Sequence, residues 1–170
     1  MRKVLKQGFF DKPGIEIARA LLGKFLVRKI GKREVALMIT ETEAYDGFKD
    51  KASHAHRGKT SRNAPMFGPA GRWYVYFTYG MHWMLNIVTG RKDYPAAVLI
   101  RGVEGISGPG RVTKKLKIDK RFNNKSASQR VGLWIEDHEI KIKKSKIKRL
   151  PRVGVDYAGK WAKKPLRFTF

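Results

Sequence analysis

The chain is predicted to fold as a single α+β domain, residues 1–170, from three observations. One short helical stretch is punctuated by Pro13 and Gly23. Gly31-Lys32 then separates two strand-like segments, as a two-residue hairpin turn does. Further on, Trp73–Tyr79 alternates strongly, and Gly80 precedes a returning stretch, Met81–Val88. Strands joined by tight turns outnumber helices, and 170 residues with 42% hydrophobic content suffice for one good core.

Taken in order, Gly14–Leu22 reads as a helix with Asp11 as its N-cap, Pro13 near the first turn and Gly23 as its stop. Ile17, Leu21, Ala18 and Leu22 form its buried stripe. Phe25–Ile30 and Arg33–Tyr45 make the hairpin around Gly31-Lys32. If no bulge intervenes, Val35, Leu37, Ile39, Glu41, Glu43 and Tyr45 share one face of the second strand. That face runs from apolar residues to carboxylates and a tyrosine, as expected of a strand leaving a core and entering a pocket. Two solvated strand-end glutamates would give the same pattern. Asp46–Gly71 has loop composition and carries His54, His56, Arg57, Lys59 and Arg62, suited to a phosphate backbone. His54-x-His56 supplies half a metal site with no clear third ligand.

In Trp73–Tyr79, Tyr74 and Tyr76 face one way and Trp73, Val75, Phe77 and Tyr79 the other, so one set packs the core. Tyr94–Val103 is an apolar strand interrupted by Arg101, a charge that needs a partner, with the Glu41–Tyr45 segment the obvious source. Gly105–Gly110 is a glycine-rich turn and Arg111–Ile118 a short basic helix. Phe122–Arg130 is loop-like. Val131–Ile135 and Glu139–Leu150 read as strands, the latter an exposed basic ribbon, and Leu166–Phe170 as the last strand.

Lysine and arginine number 38 against 14 acidic residues, a net charge of +24 that calls for a polyanionic partner. No apolar run is long enough to span a bilayer and no signal-peptide pattern opens the chain, so nucleic acid is preferred over a membrane. With no cysteine, disulfides, thiolate metal sites and cysteine nucleophiles are excluded. An enzyme that removes a damaged base needs aromatic walls for a flipped base, a carboxylate to activate water at the sugar carbon, and a plug for the emptied duplex. Tyr45, Tyr76, Glu43 and Tyr79 match those parts. On residue chemistry alone, a noncatalytic module stacking single-stranded bases and a metal-dependent nuclease using Glu41, Glu43 and Asp46 also remain.

The segments Ala18–Val27 (ARALLGKFLV), Glu41–Tyr45 (ETEAY), Met66–Gly71 (MFGPAG), Tyr74–Asn86, Leu99–Glu104 (LIRGVE) and Arg152–Phe168 occur in one order along nearly the whole chain. Together they resemble the alkyladenine (3-methyladenine, methylpurine) DNA glycosylase family. The resemblance implies a mixed domain around a curved antiparallel sheet with a protruding hairpin and flanking helices. It implies hydrolysis without strand cleavage and without metal or organic cofactor. It assigns Glu43 as general base, with Arg101 and the Val153 carbonyl positioning the water. Tyr45, His54 and Tyr76 line the base pocket, Asn86 excludes guanine, and Tyr79 intercalates. The implied partner is double-stranded DNA containing damaged purines, bound by a monomer with no obligatory protein partner and no membrane association. The compact 104–111 segment and short terminus are those of prokaryotic-type members, hence a cytoplasmic, nucleoid-associated setting. The His54–Met66 loop is too short for its phosphate contacts to transfer, and His82 stands where some members carry an aromatic.

Overall fold

The computed structural model describes residues 1–170. An antiparallel sheet of ten strands is built mainly from β1 (Lys3–Val4), β2 (Phe25–Ile30), β3 (Arg33–Asp46), β4 (Trp73–Thr78), β5 (His82–Val88), β6 (Ala96–Val103) and β8 (Leu133–Asp137), in the order β1-β8-β2-β3-β6-β5-β4. The short β7 (Ile106–Ser107) pairs with β6, and β9 (Lys148–Leu150) pairs with β10 (Arg167–Thr169), which in turn pairs with β3. Helices α1 (Gln7–Phe10), α2 (Gly14–Ala20) and α3 (Pro109–Lys115) flank the sheet. This is the α+β class expected from the strand-rich pattern, with β4–β5 as its projecting hairpin.

The core joins α2 (Ile17, Ala18) and the adjoining Leu21 and Leu22 to Leu26, Ile39, Trp73, Val75, Val98, Ile100, Leu133 and Phe168. The apolar stripe expected of α2 is therefore buried. Its start differs from expectation: Pro13 is the N-cap and no side chain caps it, because Asp11 instead terminates α1, a helix too short to show periodicity. The hairpin turn at Gly31 holds the positive φ (+60°) that the glycine-lysine pair implies.

β3 does the most to place the site. Its 14 residues pair with β2 along Arg33–Met38, β6 along Ile39–Asp46 and β10 along Glu41–Glu43. Register slips lie between Ile39 and Glu41 and between Glu41 and Thr42. This corrects the uninterrupted parity read from sequence. Ile39 faces the main core, yet so do Ala44 and Thr42, whose hydroxyl donates to Ala18 O at 2.8 Å. The bulge thus passes the core face from odd to even positions, and Glu43 and Tyr45 turn to the opposite face. Gly102 makes room for it: a Cβ there would lie 3.1 Å from Glu41 Cβ and 3.3 Å from Thr40 Oγ1.

The expected basic strand over Glu139–Leu150 is absent except for β9. The Ile140/Lys141/Ile142/Lys143 alternation finds no edge to pair with, since β8 is flanked by β1 and β2. Lys144–Lys146 forms a 3-10 turn instead, and Ile142 packs over Gly23. Other boundaries move by a few residues. β8 starts at Leu133, α3 begins at Pro109, and β10 covers only Arg167–Thr169.

Candidate active site

A cavity of about 510 Å³ opens on the face of β3, β4, β5 and β6 opposite the main core, and its lining includes Glu43, Tyr45, His54, Tyr76, Tyr79, Asn86, Arg101 and Val153. The eight residues singled out from the sequence, spread over 111 positions, thus converge on one site. Its volume falls in the range typical of small-molecule pockets.

Glu43 lies at the floor and is fully buried. Its Oε1 accepts the Val153 backbone N–H at 2.9 Å and lies 3.6 Å from Arg101 Nε, and its Oε2 accepts the Tyr45 hydroxyl at 2.9 Å. Burial raises the carboxyl pKa above its ordinary value, opposed by the Val153 N–H, Arg101, the Tyr45 hydroxyl and Arg152. The sequence expectation for Val153 concerned its carbonyl. What the structure adds is that its N–H already holds the carboxylate.

Arg101 finds the carboxylate partners sought for it, in Glu41 (3.3 Å) as well as Glu43. Glu41 also accepts from Arg167 on β10 at 2.9 Å, so it is shared between two guanidinium groups and serves as a tether. Tyr45 and Tyr76 are both held protonated, chiefly by burial. His54 Nδ1 lies 3.0 Å from the Tyr74 hydroxyl, and its ring meets Tyr76 edge-on at 4.6 Å. Burial, then Arg62, lowers the His54 pKa, while burial pushes Tyr74 up to about 12. His54 is held by a loop with little regular structure but dense local bonding. Asn63 Nδ2 donates to His54 O and Gly58 O, both at 2.9 Å. Asn86 Nδ2 donates to Tyr74 O across the β4–β5 hairpin at 3.1 Å.

Tyr79 sits at the tip of that hairpin, 76% exposed and with a left-handed backbone (φ +51°). Phe77, grouped by alternation with Trp73 and Val75, is half exposed and packs on Trp83. His56 contacts Phe48 O at 3.2 Å, and no three His, Asp or Glu side chains converge as a metal-ligand set. No helix is long and apolar enough to cross a membrane.

Sequence reasoning missed Asp50 and Arg152. Both are buried and form a paired contact, Nη1 to Oδ2 at 2.6 Å and Nη2 to Oδ1 at 2.8 Å. The Arg152 guanidinium also lies 4.7 Å from the Tyr45 ring centre. The adjacency of Arg152 to Val153 was the only available signal.

Comparison with known proteins agrees with this geometry. The family model described as Methylpurine-DNA glycosylase (MPG) matches residues 8–107 and 104–170. The chain is 44% identical over 185 residues to the "Putative 3-methyladenine DNA glycosylase" of Methanocella arvoryzae, covering 97% of this chain and 91% of that protein. A protein of the same name from Anaeromyxobacter dehalogenans is 44% identical over 172 residues (97% and 82%), and one from Legionella pneumophila 39% over 175 residues (99% and 94%). With matches that span both halves of the site, from Glu43 to Val153, the chain belongs to the methylpurine-DNA glycosylase family, and is a DNA N-glycosylase.

Proposed function

We propose that this glycosylase removes N-alkylated purines, 3-methyladenine and 7-methylguanine, and hypoxanthine, the deamination product of adenine, from duplex DNA by base flipping and direct hydrolysis, opening base excision repair as a monomer. The observation that carries this reading is the buried Glu43 carboxylate, bound by Val153 N–H and Tyr45 at the floor of an aromatic cavity.

The flipped base stacks between Tyr45 and Tyr76, whose neutral, electron-rich rings attract a purine made cationic by alkylation. His54, its proton loss favoured by burial, supplies a neutral ring edge for hydrogen bonding to the base. As the base enters, the Tyr45 hydroxyl gives up Oε2 of Glu43. Because a carboxylate has about four lone-pair sites, Oε2 can then take a proton from a water while Oε1 stays on Val153 N–H. Arg101 and the Val153 carbonyl hold that water facing the sugar C1′. As the glycosidic bond breaks, its electron pair leaves with the base and cancels the charge of an alkylated purine. The ionised Glu43 stabilises the positive charge developing at C1′ and takes the water's proton as the water oxygen bonds to that carbon. Tyr79, projecting from its hairpin, fills the gap in the stack. Asn86 meets the exocyclic amine of an undamaged guanine.

The test is base release from duplexes carrying one lesion, with and without EDTA, by wild type and Glu43→Gln. We expect abasic sites without strand cleavage, no effect of EDTA, and a loss of about 10²–10⁴-fold in Glu43→Gln with lesion binding retained. EDTA-sensitive strand cleavage would instead favour a nuclease. Equal turnover in Glu43→Gln would remove the assigned base. Sedimentation at working concentrations checks the monomer.

A further inference from the structure

Three groups on Arg152 reach the segment that carries Glu43 and Tyr45. Nη1 donates to Ala44 O at 2.8 Å, the carbonyl between those two residues. β10 pairs with β3 only as far as Glu43, so the guanidinium takes over where the strand partner ends. Its carbon lies 4.7 Å from the Tyr45 ring centre, backing that wall. Its own chain continues into Val153, whose N–H holds Glu43.

Asp50 locks the guanidinium from the other side. Its oxygens accept both Nη atoms and also Ala52 N at 3.1 Å and Asp46 N at 3.2 Å, so the carboxylate is saturated and fixes the start of the loop that leads to His54. Both side chains are fully enclosed, while Arg152 Nε is buried without a hydrogen-bond partner. A buried ion pair contributes little net stability over well-packed apolar residues, and an unpaired buried N–H weakens it further. The arrangement is a poor stabiliser but a rigid one.

We propose that the Asp50–Arg152 pair is a positioning device for base excision, fixing the Tyr45 wall and, through Val153 N–H, the Glu43 carboxylate in the orientation that stacks the base and deprotonates water. It rests on the reading of Glu43 as general base. Neither residue touches the substrate. Both act through residues that do.

The double variant Asp50→Asn/Arg152→Gln, neutral on both sides, tests it. The assay is single-turnover release from a 7-methylguanine duplex with enzyme saturating, so that binding drops out. This lesion leaves without protonation, so the acid limb of the rate reports the base alone. The groups facing Glu43 are Tyr45 on β3, Arg101 on β6, Tyr76 on β4, and Arg152 with Val153 N–H. Removing Arg152 takes away one positive charge that favours the carboxylate.

For folded, DNA-bound double variant we expect a rate about 30-fold or more below wild type, with its acid limb moved to higher pH. A merely structural pair lowers the melting temperature but leaves the rate on the pH plateau above the limb where it was, and that result overturns the proposal. If the double variant does not fold, the plateau rate of Arg152→Lys is read instead, since it keeps a cation against Asp50 but loses the forked contact with it and the Nη1 bond to Ala44 O. A wild-type rate in Arg152→Lys then overturns the proposal, and a rate lowered as above supports it. Glu43→Gln runs alongside: if it turns over at the wild-type rate the general-base reading itself fails, and this inference with it. A dead Glu43→Gln beside a fully active double variant removes the positioning role alone.

Discussion

The Tyr45 hydroxyl donates to Oε2 of Glu43 at 2.9 Å, and the carboxylate it covers has no surface open to solvent. The two residues are i and i+2 on β3, placed on one face beyond the bulge. In the free protein, therefore, a wall of the cavity doubles as a seal over the group at its floor.

Tyr45→Phe separates these roles. The ring still stacks, but the bond that favours the carboxylate is gone, so the Glu43 pKa rises further. On the general-base reading Glu43 must be ionised, so the rate falls as pH drops through its folded-state pKa, which burial has already moved above the ordinary glutamate value. The acid limb of wild type is expected above the ordinary glutamate range, and that of Tyr45→Phe higher still. A pH series of single-turnover rates on 7-methylguanine DNA at subsaturating enzyme, which report the titration of the free protein, measures both.

The same shift has a stability consequence. A carboxyl with a raised folded-state pKa binds its proton more tightly when folded, so folding stability falls as pH rises from the unfolded to the folded value. Glu43→Gln removes that loss while its amide keeps an acceptor for Val153 N–H and a donor toward Tyr45. Its melting temperature should match wild type in acid and exceed it at neutral pH. Melting curves at pH 4 and pH 7 decide.

For Tyr79→Ala, lesion-duplex affinity is expected to fall by about 1–3 kcal/mol, the scale of one aromatic stacking contact. The melting temperature should hold, because the side chain is exposed at a hairpin tip. Fluorescence of a base analogue opposite or beside the lesion reads the loss of flipping directly.

Asn86→Ala leaves Tyr74 O without its cross-strand donor and opens space in the cavity. The expected outcome is faster release of undamaged guanine relative to hypoxanthine, which lacks the 2-amino group, measured on matched duplexes. An unchanged ratio assigns Asn86 to hairpin architecture only.

Gly47→Ala is predicted to cost about 2 kcal/mol or more. Gly47 has a φ of +82°, and a methyl there meets the Tyr94 hydroxyl. Denaturant unfolding measures the loss.

Much of this architecture was legible because its signals are local. Gly31-Lys32 announces a turn through one backbone angle, and the Tyr74/Tyr76 alternation assigns faces through the two-residue period of a strand. Glu43 and Tyr45 were readable as a pair for the same reason. Their face was not, since the bulge at Thr40–Glu41 depends on Gly102, some 60 residues away in sequence. The Glu139–Leu150 ribbon failed in the reverse manner: its alternation is sound, but a strand also requires a free edge beside it, and β8, which it follows, already has β1 and β2 on its two sides. Asp50 and Arg152 carry no periodic signal. A buried ion pair becomes visible only when the chain brings both ends together.

The dependence of β3 on β10 sets when the enzyme exists at all. β10 follows every other element in chain order, yet it pairs with Glu41–Glu43, and its Arg167 tethers Glu41. Val153, which holds the carboxylate, precedes it by only a few turns of chain. During synthesis the earlier strands can assemble while Glu43 still lies open on a sheet edge. A nascent chain, or a fragment clipped ahead of Arg152, therefore carries aromatic walls and positive charge without an ordered base. On the mechanism proposed for Glu43, such a chain binds DNA but releases no base.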